Sequence, residues 1–275
     1  MKNFSKYIFE TLAIFIGILL SFSVDRCTRE NQEIEETKKS VFLIHKHNNP
    51  CGVAIRDNLL DAYLDALSCD NVSAFGGILT SNQAIDIKVA EEINKLFFEV
   101  LIAPNYSDSA LDLLKSKKNR IIIKLKSFPI NKLQTRSCLN GILEQDIDDK
   151  IEKFKDFKVV TNISPNSSKS DDLILASIIV KHTKSNCIAI VKNKQLIGSG
   201  MGQVSRIDAL NQAIEKSKKF GFDLNESCLA SDAFFPFSDC VEISHVNNIN
   251  TIVQPGGSIK DKDSIDFCNK NGMSM

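Results

Sequence analysis

From residue 41 onward the chain alternates short apolar runs with stretches whose apolar residues recur at helical spacing. Residues 41–44 (VFLI) read as a strand, followed by a loop that holds Pro50 and Gly52. Over 57–67, Leu59, Leu60, Tyr63, Leu64 and Leu67 share one face of a 3.6-residue period, which predicts a helix. Residues 74–79 carry Gly76-Gly77, the mark of a close-approach loop beside a strand. The pattern then predicts a helix over 86–97, a strand over 100–103 closed by Pro104, a short helix over 109–115 and a strand over 120–125. A second series opens with strands at 141–143 and 158–161, then a polar loop over 166–172 feeding a helix over 172–182. Strands at 187–191 and 195–198 lead into a long helix over 204–220, stopped by Gly221. A strand at 228–230, a helix at 241–246, a strand at 251–253 and a helix at 265–269 complete the series. Strands alternating with helices predict α/β layers, divided into a lobe at 41–165 and a second of related pattern at 166–275.

Residues 1–40 do not share this texture. The run between Leu12 and Val24 (LAIFIGILLSFSV) is almost unbroken apolar sequence behind a short basic start. A spanning helix needs roughly 20 apolar residues, and this run approaches that length only by including Glu10 and Thr11. It reads as a membrane-inserted or anchoring helix, with a buried amphipathic helix or a terminus that does not belong to the fold as the alternatives. No small-residue cleavage site follows it, so a cleavable signal peptide is not expected. Residues 25–39 are charged and read as a solvated linker.

Composition narrows the picture. With 43% apolar and 25% charged residues in a 275-residue chain, a globular core is expected. Lys+Arg and Asp+Glu both number 34, so no global field would draw in nucleic acid, and any anion site must be local. The eight cysteines contain no CxxC pair, which suits neither a zinc framework nor a disulfide scaffold and points to reduced thiols in a cytoplasmic protein.

Four polar segments fall at the ends of expected strands, where ligands of α/β folds sit. In the first, Lys46-His47-Asn48-Asn49-Pro50-Cys51-Gly52, a cation adjoins an imidazole, a residue type that titrates near neutrality. The pair suits proton transfer beside a charge-stabilising group, and equally two solvated side chains at a strand end. His45 and His47 form an HxH pair without a nearby acidic cluster, a poor metal site. The second segment, Asn71 to Gly77, ends in two glycines that let backbone amides approach a ligand. The third joins Lys181-His182-Thr183-Lys184-Ser185-Asn186 to a glycine-rich turn, Gly198 to Gly202, entering a helix at Arg206. Its amides and Arg206 could meet an anion. The fourth, Ser231-Asp232-Ala233-Phe234-Phe235-Pro236-Phe237-Ser238-Asp239, precedes Gln254-Pro255-Gly256-Gly257-Ser258 and offers a flat apolar slot with a polar lip, or ordinary core aromatics.

Together and in this order, these segments resemble the transformylase domain of the bifunctional purine enzyme AICAR transformylase/IMP cyclohydrolase. KHNNPCGVA is similar to that family's KHxNPCG, and DNVSAFGGI to its DPVSAFGG; VKHTKSN, GSGMGQVSR, SDAFFPF and QPGGSIKD also match, over about Leu43 to Gly272. The resemblance implies two cytidine-deaminase-like αβα lobes, zinc-free, because Pro50-Cys51 is followed by Gly52-Val53-Ala54 rather than a second metal thiol. It implies transfer of a formyl group from 10-formyltetrahydrofolate to the 5-amine of the AICAR nucleotide. His47 is then the base, Lys46 stabilises charge and Asn186 orients the reacting groups. Phe234 and Asp239 match folate positions, Gly76 and Glu99 lie near the nucleotide, and Arg206 and Lys260 remain as anion donors. A homodimer is implied, with no nucleic acid and no metal.

The resemblance also marks departures. The family's cyclohydrolase domain, its RYGENPHQ and GKELSYNN segments and its TGMRHFRH tail have no counterpart here. A phosphate needs Arg or Lys donors, so impaired transfer is expected. The alternative is an inactive binding or scaffold protein, tethered to a membrane through the run between Leu12 and Val24.

Overall fold

The computed structural model describes residues 39–126, 133–148 and 150–275. Cys27 and the run between Leu12 and Val24 lie outside them. Among the described residues no helix is long and apolar enough to cross a membrane.

The chain enters through β1 (Ser40–Lys46) and turns straight back as β2 (Asn49–Arg56), so Pro50 and Gly52 lie in a strand and not in the loop that their residue types predict. The turn holds only two residues, His47 and Asn48, at φ 49° and 65°. Positive φ at both positions matches the right-handed twist of a two-residue hairpin, and Asn tolerates it. Helix α1 (Leu59–Cys69), capped by Asn58, leads to β3 (Gly77–Ser81). Then α2 (Ile87–Asn94), β4 (Phe98–Ala103), α3 (Asp108–Lys115) and β5 (Ile121–Lys124) alternate as predicted.

The second half repeats the plan. After α4 (Ser170–Lys181) come β8 (Ile188–Lys192) and β9 (Gln195–Gly200), again joined by a two-residue turn with positive φ, Asn193 at 52° and Lys194 at 58°. Helix α5 (Arg206–Lys219), β10 (Cys228–Ser231), α6 (Asp239–Val246), β11 (Thr251–Val253) and α7 (Asp261–Lys270) follow. In each half the hairpin's first strand pairs antiparallel with the strand after the helix, which pairs parallel with the next. The halves meet where β2 pairs with β9, giving one nine-stranded mixed sheet, β11-β10-β8-β9-β2-β1-β3-β4-β5.

Two strand expectations change. Residues 158–161 run without a ladder, held by Val160 N–H donating to the Met275 carbonyl at 3.0 Å. Residues 141–143 do lie in a strand, β7 (Gly141–Asp146), but it pairs only with β6 (Leu133–Cys138) in a separate two-stranded sheet.

Strand alternation distributes the core. Phe42 and Ile44 of β1 face α1, while Val41 and Leu43 face α4, together with Val53, Ala189, Val191 and Ala230. Helix α4 therefore covers the middle of the sheet across both halves, which explains why it is apolar around most of its circumference.

Direct strand contact between the halves is narrow, a single registered pair, Ala54 with Gln195. Polar bridges flank it. Arg56 contacts Asp65 at 2.5 Å and the Gln195 amide oxygen at 3.0 Å, and Lys216 of α5 reaches Asp70 at 2.9 Å. Burial alone would raise the Asp70 pKa, but hydrogen bonds from Lys216 and Ser73 outweigh it and hold the carboxyl below its ordinary value of 3.8. A depressed folded pKa contributes stability at higher pH and loses it as pH falls past 3.8 and through the folded value. The melting-temperature gap between wild type and Asp70→Asn should therefore be full at pH 6 and shrink below pH 4; a gap constant across that range would contradict this.

Candidate active site

Every polar segment singled out in the sequence lands at the same end of the nine-stranded sheet. Because β3 runs antiparallel to β1, with His45 opposite Ile78, the β1–β2 turn sits beside the start of β3 at Gly77 and the start of β4 at Phe98 and Glu99. In the second half the start of β8 lies opposite the ends of β9 and β10, with Ile188 facing Gly200 and Ser231. First-half residues thus approach from the amino ends of β3 and β4. Second-half residues approach from the carboxyl ends of β9, β10 and β11.

Lys46 closes β1 and curls onto the glycine loop. Its Nζ donates to the Phe75 carbonyl at 2.7 Å and the Gly76 carbonyl at 3.0 Å. Gly76 has φ +67°, a left-handed backbone that favours glycine, and a Cβ there would come within 2.8 Å of Nζ, the movable end of the lysine side chain. His47 is exposed at the turn tip. Asn49 links the halves, its Oδ1 accepting the Lys184 N–H at 3.4 Å. Beyond Lys184, Asn186 exchanges backbone bonds with Gln203 and donates from Nδ2 to the Gln203 carbonyl at 2.9 Å. The structure therefore brings Lys46, His47, Gly76 and Asn186 into one neighbourhood. Glu99 is exposed near the same end of β4, where Phe97 packs on Phe75 with ring centroids 5.0 Å apart.

Phe234 and Phe237 are exposed on the loop after β10, while Phe235 between them is fully buried. Of the three phenylalanines, two thus serve a surface and one serves the core. Asp239 opens α6 beside this loop. The QPGG segment packs against it, with Gln254 Oε1 accepting from Phe235 N–H at 3.2 Å and Gly256 N–H at 3.1 Å. Lys260 is exposed and pairs with Asp263 at 3.4 Å.

Arg206 has a different setting from the open anion donor expected at a glycine-rich turn. It is 7% exposed and donates from Nη1 to the Cys187 carbonyl at 3.1 Å and to Asp232. Asp232 also accepts the Cys187 N–H at 2.8 Å. The glycine-rich turn is shorter than the sequence suggested: Gly198 and Gly200 are buried strand residues of β9. Sequence reasoning missed Asp70, Asp232, Gln203 and Gln212 as supports of the site. An Asp followed three residues later by Ser was the one visible signal, since Asp70 caps that turn through Ser73.

The thiols in these segments are not nucleophiles. Burial pushes Cys51 and Cys240 up to about 12, so both stay protonated near neutral pH. Alkylation with iodoacetamide at pH 7.5 should modify exposed Cys138 and spare Cys51, Cys69 and Cys240; rapid loss of the Cys51 thiol would contradict that. Among the described residues no cluster of three or more His, Cys, Asp or Glu side chains could hold a metal ion.

Fold and site together define a class: a mixed α/β protein built on one nine-stranded sheet, with polar loops from both halves of the chain gathered at one end of it. The AICARFT/IMPCHase bienzyme family model matches residues 23–216, and the chain belongs to that family. Over 242 residues it is 53% identical to the bifunctional purine biosynthesis protein PurH of Bacteroides thetaiotaomicron, covering 88% of this chain and 48% of the relative. It is 45% identical over 246 residues to the PurH protein of Acetivibrio thermocellus, covering 88% and 47%. The PurH protein of Aquifex aeolicus is 44% identical over 241 residues, covering 88% and 47%. The chain thus spans about half the length of the curated relatives it matches.

Proposed function

We propose that this chain is an AICAR formyltransferase, moving the formyl group of 10-formyltetrahydrofolate onto the 5-amine of the AICAR nucleotide within purine biosynthesis. The observation that carries the reading is the convergence of the Lys46-His47 turn with Gly76 and with Asn186 of the other lobe, in a chain of this family. The 5-amine is conjugated with its ring and is a poor nucleophile. It gains strength if a base removes its proton as the bond to the formyl carbon forms. His47, exposed on a tight turn, is that base. An ammonium has three donors; Lys46 gives two to carbonyls and turns the third toward charge on the formyl oxygen or the departing folate nitrogen. Asn186 orients the reacting groups. Exposed Phe234, with Asp239, suits a flat heterocycle that stacks on one face and presents donors at its edge. Gly76 and Glu99 belong to the nucleotide side, and Lys260 is the accessible cation for its phosphate. The lobes are of the cytidine-deaminase-like kind without zinc, and two copies associate as a homodimer.

A second reading, a binding protein that keeps the pocket without turnover, is favoured by Arg206 already neutralised against Asp232. A formyl-transfer assay on purified protein with AICAR nucleotide and 10-formyltetrahydrofolate separates the two. Tetrahydrofolate release that depends on the nucleotide supports the transferase. Nucleotide and folate binding without release supports the second reading, and neither would remove both.

A further inference from the structure

Asp70 ends α1 and is only 5% exposed. Its Oδ1 accepts the Ser73 N–H at 2.9 Å, and its Oδ2 accepts the Ser73 hydroxyl at 2.7 Å and the Lys216 ammonium at 2.9 Å. Its carbonyl accepts the Ala74 N–H at 3.1 Å. These bonds fix the loop whose next two carbonyls, of Phe75 and Gly76, receive Lys46. Because Nζ bonds two carbonyls of this loop, a shift of the loop moves the acceptors that hold Lys46.

Lys216 belongs to the other lobe. One turn earlier on the same helix, Gln212 Oε1 accepts the Met201 N–H at 3.0 Å and the Gln203 side-chain amide at 3.3 Å. Gln203 in turn holds Asn186 through its carbonyl. Residues four apart lie on one helix face about 6 Å apart. Neighbouring side chains of one rigid helix therefore grip the Lys46 loop of the first lobe and the Asn186 segment of the second. A largely buried ion pair adds little net stability over an apolar contact of the same volume. What it adds is direction, a fixed distance between helix and loop.

We propose that Asp70 and Lys216 are positioning residues for formyl transfer, with α5 as the strut that sets Lys46 against Asn186. The inference rests on the transferase reading for its chemistry, so its test carries one readout that does not. Wild type, Lys216→Met, Lys216→Arg and Ser73→Ala are treated with a limiting acetylating reagent, and each lysine is followed by mass spectrometry. Lys46 should react about fivefold faster in Lys216→Met and Ser73→Ala, the equivalent of one lost hydrogen bond, with Lys192 unchanged and Lys216→Arg restoring the wild-type rate. In the transfer assay Lys216→Met should lose about tenfold or more in kcat, with the nucleotide KM moving much less. An unchanged Lys46 rate in both Lys216→Met and Ser73→Ala overturns the proposal, as does Lys216→Arg reacting as fast as Lys216→Met. If wild type transfers no formyl group, the transferase reading fails and the acetylation rates alone decide the strut. If Lys216→Met does not fold, Ser73→Ala, which leaves the ion pair in place, decides the acetylation arm.

Discussion

Replacing His47 with alanine is expected to lower kcat for formyl transfer by about 10²–10⁴-fold, the range of a single general base, while nucleotide affinity stays within about threefold. The expectation follows from where the residue sits. His47 is exposed and lies in a turn whose strands are fixed by their own ladder, so its removal should leave the fold intact. Alanine is nevertheless strained at φ 49°, and part of any loss could come from the backbone. His47→Asn separates the causes, because asparagine accepts the left-handed region and supplies no base. Both variants should fall together in turnover, with wild-type melting temperature in the asparagine variant. Steady-state kinetics of tetrahydrofolate release and calorimetric titration of the nucleotide check the two halves. Turnover near wild type in either variant would strip His47 of its role.

What the sequence disclosed depended on how local the cause was. The helices announced themselves through apolar spacing, as with Leu59, Tyr63 and Leu67 on one face of α1; their caps, Asp86 before α2 and Ser107 before α3, came only with the structure. Strand β2 stayed hidden because Asn49, Pro50 and Gly52 are turn residues by type. The structure gives each a reason to be in a ladder: Pro50 sits at a register shift opposite His45, where a missing N–H is tolerated, and Gly52 lies under a helix. Residues 158–161 erred the other way, with strand-like Val159 and Val160 that find no ladder partner. At the candidate site, Lys46, His47, Gly76 and Asn186 could be singled out because each stands in a compact motif. The pairs that hold them could not, since Asp70 and Lys216 are 146 residues apart and Arg206 and Asp232 are 26 apart. Charge complementarity at such separations leaves no local pattern to read.

Gly52→Ala and Gly198→Ala are each expected to destabilise the fold by about 3 kcal/mol or more, toward the upper end of overpacking costs. Each glycine is the fourth residue past its hairpin turn, and each lies directly beneath a helix of its own half of the chain. A Cβ at Gly52 would stand 2.1 Å from the Ala66 carbonyl oxygen of α1, and one at Gly198 would stand 2.3 Å from the Ala213 carbonyl oxygen of α5. The obstacle is helix backbone, which cannot rotate aside as a side chain can. Each helix would have to lift, and α1 carries Asp70 while α5 carries Lys216. A loss of this size against a total of about 5–15 kcal/mol should lower the melting temperature by roughly 6–12 °C. Gly141→Ala is the control, since its Cβ would meet only the Cys138 carbonyl at 3.7 Å on the exposed hairpin, and its melting temperature should not move. Thermal melts of the three variants decide the matter. If Gly52→Ala and Gly198→Ala melt with wild type, the helices do not ride on these glycines. If they melt low, the glycines of the two motifs serve the packing that lets both halves of the chain present their loops at one end of the sheet.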